Sequence, residues 1–69
     1  MERREFKSIC NDLLQELNIT QSEFAKKINT TQATVSRWCS GVQEPSFYQL
    51  QSIAIAFDID LEFLIGLTK

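Results

Sequence analysis

Between Thr31 and Arg37 the chain reads Thr-Gln-Ala-Thr-Val-Ser-Arg, a run of short neutral hydrogen-bonding groups and methyls closed by one guanidinium. The outer face of an ordinary amphipathic helix would carry Glu and Lys. Here Gln32, Ala33, Thr34 and Arg37 offer the groups that match base edges: a glutamine amide pairs with adenine, a guanidinium with guanine, and alanine or threonine methyls meet the thymine methyl. Val35 and Trp38 are the residues of this stretch that turn back toward a core.

Other chemistries are poorly supplied. The chain has no histidine and two cysteines, Cys10 and Cys39, too few for a four-ligand zinc site or a disulfide framework. These cysteines read as small buried hydrophobes, with a redox pair as the alternative. Neither a paired-carboxylate cleft nor a glycine-rich phosphate loop is present, so no enzyme activity, metal, cofactor or small-molecule substrate is expected. Apolar runs last only a few residues, which excludes a membrane span and points to a reduced, cytoplasmic chain.

Net charge is −2, unfavourable for a polyanion, but the total hides a gradient. Residues 20–43 hold Lys26, Lys27 and Arg37 against Glu23 alone. The first nineteen residues set Arg3, Arg4 and Lys7 against Glu2, Glu5, Asp12 and Glu16, and residues 44–68 carry Glu44, Asp58, Asp60 and Glu62 with no base. If a phosphate is met, the middle third meets it. Alternation of Arg3 and Arg4 with Glu2 and Glu5 suggests local helix pairs rather than a groove-reaching arm.

Sixty-nine residues, 43% of them hydrophobic, suffice for one small domain, residues 1–69. Two glycines, one proline and no sustained alternation predict an all-α unit of five helices. Residues 3–17 place Phe6, Ile9, Leu13 and Leu17 on one stripe, ended by Asn18. Thr20 and Glu23 form a capping box for a second helix facing inward through Phe24, Ala25 and Ile28. Asn29 ends it, Thr31 caps a third helix over Gln32 to Cys39, and Gly41 stops that one. Ser46 and Gln49 make a second capping box before a fourth helix burying Leu50, Ile53, Ala54 and Phe57. Asp60 caps a short fifth helix, with Ile59 positioned to staple onto Leu64.

Helices two and three, separated by so short a turn, have the arrangement of a helix-turn-helix. The stretches TQSEFAKKI, TTQATVSRW, the Gly41 stop, PS at 45–46 and DIDLEFL, within residues 13–66, resemble the Cro/C1-type (XRE) helix-turn-helix domains of phage repressors and bacterial regulators. The resemblance implies a lambda-repressor-like five-helix fold whose third helix enters the major groove of double-stranded DNA while the second crosses the backbone. It places Gln32, Ala33, Thr34 and Arg37 at bases and Thr30, Thr31 and Ser36 at phosphates. Gln21 falls where family members touch a phosphate and brace a glutamine at the place of Gln32, and Lys26 is the charged candidate for another phosphate. The start of the second helix adds the attraction of its free N–H groups.

Three features depart from the family pattern. A basic loop is common after the third helix, where this chain has Val42-Gln43-Glu44; an arginine is common at Leu14 and a glutamate at Cys39. Loss of both members of a buried ion pair need not reduce stability, and it implies that Leu14 and Cys39 touch. Phe63 and Leu67, at the end of the domain, are candidates for a homodimer interface. The expected function is transcriptional regulation by a Cro-like, repressor or antitoxin protein; a protein-interaction module on the same scaffold is the alternative.

Overall fold

A computed structural model describes residues 5–66. Five helices follow one another: α1 (Phe6–Leu17), α2 (Gln21–Lys27), α3 (Gln32–Ser40), α4 (Phe47–Phe57) and α5 (Leu61–Leu64). No strand occurs among the described residues, and none of their helices is long and apolar enough to cross a membrane.

Each start is built from side chains close in sequence. Thr20 accepts from the Glu23 N–H at 3.1 Å while the Glu23 carboxylate accepts from the Thr20 N–H at 2.8 Å, closing the first capping box. Ser46 and Gln49 repeat the arrangement at 3.2 and 2.7 Å. Thr31 caps α3 by accepting from the Thr34 N–H. Two starts differ from the sequence expectation. Glu5 is extended and α1 begins at Phe6, the first described residue with a buried side chain, rather than at residue 3. Asp60 stands at the head of α5 without a side-chain bond; its main-chain carbonyl instead receives the N–H groups of Phe63 and Leu64.

Helix exits share one device. Asn18, Asn29, Gly41 and Asp58 all have positive φ, between 54° and 82°. The next N–H then reaches back to the last turn, from Ile19 to the Leu14 carbonyl, Thr30 to Ala25, Val42 to Arg37 and Ile59 to Ala54, which satisfies carbonyls that helix geometry leaves open. At Gly41 space adds to conformation, because a Cβ there would stand 3.0 Å from Cδ of Lys7.

These corners fold five short helices around one core. Phe6, Ile9, Cys10 and Leu13 of α1 meet Phe24 and Ala25 of α2, Val35, Trp38 and Cys39 of α3, Ile53 of α4 and Leu64 of α5. Ile28, Leu50, Ala54, Phe57 and Ile59 pack against this cluster partly buried, as does Leu14, whereas Leu17 is exposed. Rings add direction to the packing: Phe6 meets Trp38 edge-on, centroids 6.0 Å apart, and Phe24 stacks on Phe57 at 4.9 Å. The cysteines are buried as expected, and the nearest sulfur to Cys39 on α3 is Cys10 on α1, at 2.8 Å.

Burial, reinforced by the hydrogen bond and charge of Cys39, pushes the Cys10 thiol well above its ordinary value of 9.0. The folded state therefore holds this proton more tightly than the unfolded chain does. That contribution is complete below the ordinary value and is lost as pH rises beyond it toward the folded value, at up to about 1.4 kcal/mol per pH unit. Urea midpoints compared at about pH 7 and about pH 10 should fall more steeply for the native chain than for Cys10→Ala. Equal declines would remove Cys10 as the cause.

Candidate nucleic-acid interface

Residues 28–31 connect α2 to α3, and Asn29 at φ 59° sets the corner. This turn brings the first residues of the two helices together: Gln32 Nε2 donates to Gln21 Oε1 at 3.3 Å. Gln32 lies at the head of α3 and is exposed, as are Ala33 and Arg37, while Thr34 and Ser36 are half-buried. Val35, Trp38 and Cys39 form the opposite, buried stripe. One helix thus has an apolar side that fixes it and a polar side that it displays.

A second brace was not foreseen from the sequence. Arg37 Nε donates to Gln43 Oε1 at 3.2 Å, so the loop lacking a basic clamp supplies an amide that orients the guanidinium. Gln43 could not be found by pattern, because its reach to Arg37 depends on the path of the chain after Gly41. Its N–H also bonds the Arg37 carbonyl, at 3.3 Å.

Hydroxyls head α3, and cations end α2. Oγ1 of Thr31 and Thr34 lie 2.9 Å apart. If Thr34 donates in that pair, Thr31 accepts twice and keeps its own O–H for an outside acceptor. Thr30 is half-buried in the turn, its N–H committed to Ala25. Lys26 and Lys27 are exposed on the last turn of α2. The Glu23 carboxylate that closes the capping box places a negative charge at the start of α2, opposing the pull of its N–H groups on an anion. Glu44 is exposed in the loop beyond Gln43.

The expected association residues are only half covered. Phe63 packs partly buried against the core, and Leu67 lies outside the described residues, as do Arg3 and Arg4. Large exposed apolar side chains occur instead at Val42 and along α4, where Tyr48 and Ile55 are 81% and 83% exposed.

Comparison with known proteins gives the same architecture. A family described as helix-turn-helix matches residues 12–64. No curated protein matches the chain. Among solved structures, a transcriptional regulator from Listeria innocua is similar in fold, with a TM-score of 0.84 at 22% identity, covering 100% of this chain and 64% of that one. The chain thus spans about two-thirds of that regulator's length. With the capped α2, the tight corner at Asn29 and the matched segment from the middle of α1 to α5, the chain belongs to the Cro/C1-type helix-turn-helix family of DNA-binding domains.

Proposed function

We propose that this chain is a sequence-specific transcriptional regulator, of Cro, repressor or antitoxin type, that inserts α3 into the major groove. The observation that carries the reading is the pair of amide braces on the displayed face. Gln32 spends one N–H on Gln21 and keeps the other N–H and its oxygen, the two groups a bidentate contact with adenine requires. Arg37 spends Nε–H on Gln43 and keeps the four N–H groups of its two terminal nitrogens, enough for guanine N7 and O6. Ala33 and Thr34 supply methyls between them. Gln21, Thr30, Thr31, Ser36 and Lys26 hold the phosphates and fix register.

Two copies associating near Phe63 and Leu67 would set their α3 helices about 34 Å apart, one turn of the duplex, and read a two-fold site. Selection of bound sequences from a random duplex pool, repeated with variants, tests the reading. Arg37→Ala should relax preference at one base pair and cost about 1–3 kcal/mol there. Gln32→Ala should relax a neighbouring position, an adenine. Uniform weakening over all sequences would make Arg37 a phosphate contact, and unchanged preference would remove Gln32 from the reading set.

A further inference from the structure

Cys10 and Cys39 come from different helices, yet their sulfurs stand 2.8 Å apart in the core. A disulfide needs roughly 2.05 Å, so joining them calls for a small closure of two side chains. The backbone around them is already tied. Asn11, next to Cys10, donates through Nδ2 to the carbonyl of Cys39 at 2.9 Å and to that of Lys7 at 2.8 Å. One side chain therefore holds α1 and the end of α3 in the register that places the thiols face to face.

We propose that Cys10 and Cys39 are a disulfide-forming pair that staples α1 to α3 on exposure to a low-molecular-weight disulfide, while the reading face stays free. Cys39, 9% exposed against 0% for Cys10, is the entry point. Its thiol gives up a proton and attacks one sulfur of the reagent, forming a mixed disulfide and releasing the first reagent thiolate, which takes up a proton. Cys10 then loses its proton, attacks the Cys39 sulfur and expels the second thiolate, likewise protonated. Two protein thiols are oxidised and one reagent disulfide is reduced to two thiols. Burial keeps the exchange slow, since the thiolate is the attacking species.

The closed loop spans the 29-residue separation of the two cysteines and encloses α2, the Asn29 corner and most of α3. The crosslink restricts the unfolded chain. Cys39 shares the buried stripe with Val35 and Trp38, away from exposed Ala33 and Arg37, so the staple leaves the displayed groups in place. This last part rests on the DNA-reading function proposed above.

The test incubates the reduced native chain with excess oxidised glutathione and follows intact mass, melting and binding to a selected duplex. Expected are a monomer lighter by two hydrogens without adduct, a melting temperature higher by roughly 10–20 °C, and retained affinity for the duplex. Cys10→Ala should stop at one glutathione on Cys39, and Cys39→Ala should remain unmodified. Two thiols that persist in the native chain while a urea-unfolded sample oxidises would overturn the proposal. Double adducts, disulfide-linked dimers or an unchanged or lowered melting temperature would do so too. Duplex binding by the reduced form alone would overturn the claim that the reading face stays free. Failure of both forms to bind any duplex would refute the DNA-reading function instead, with mass and melting still deciding the crosslink.

Discussion

Trp38→Ala is expected to remove about 3–5 kcal/mol, the range for emptying a fully buried aromatic site. A 69-residue domain has in total only about 3–10 kcal/mol to lose. Trp38 is 0% exposed and meets Phe6 edge-on, so its loss leaves α1 and α3 facing a void. Trp38→Phe should be far milder. The tryptophan Nε1 is buried without a partner among the described residues, and phenylalanine removes that orphan N–H along with part of the volume, so the desolvation relief offsets some of the cavity. Urea unfolding followed by far-ultraviolet circular dichroism distinguishes the two. If the two variants lose equal stability, the ring that phenylalanine retains fills nothing of the site and the cavity account of the loss fails.

The second large effect concerns salt. Raising salt from about 50 to about 200 mM should weaken binding of the proposed dimer to its duplex several-hundred-fold, along a log–log slope of roughly −4 to −5. The slope follows from two to three neutralised phosphates per subunit at about 0.9 each. Lys26, Lys27 and Arg37 are the cations of the middle third, and Arg37 is held by Gln43 and assigned to base reading in the function proposed above. Much of the positioning then falls to hydroxyls and amides such as Thr31 and Gln21, which release fewer counterions. A slope of about −8 or steeper would mean that Arg3, Arg4 and Lys7 also reach the backbone, contrary to the sequence expectation that they face solvent.

Features that depend on neighbours in sequence were legible without coordinates. Thr20 with Glu23, Ser46 with Gln49, Thr31, and the exits at Asn18, Asn29 and Gly41 are local hydrogen-bond chemistry, and the structure has them where residue type predicts. Asp58 performs the same exit and was missed because aspartate enters the left-handed region less characteristically than glycine or asparagine. The Gln21–Gln32 brace was legible through family resemblance alone, since nothing in residue type pairs two glutamines eleven positions apart. Arg37 with Gln43, and Cys10 with Cys39, depend on how a loop travels and how two helices dock. Periodicity says which side of a helix is buried and not which atom lies opposite, so the reach of Gln43 came from the structure alone, while the two cysteines stood in the sequence as a redox pair only by way of alternative.

On α3, what holds the helix and what it shows are different residues. Thr31 starts it, Val35, Trp38 and Cys39 anchor it, and Gly41 ends it, while Gln32, Ala33 and Arg37 stay exposed. Substitutions at such exposed positions usually alter stability by less than about 0.5 kcal/mol. In the function proposed above, target preference can therefore drift over generations without passing through an unstable intermediate. Gene duplicates of this domain could part company in the sites they serve by single changes at positions 32, 33 or 37, each ancestor along the way remaining a folded protein.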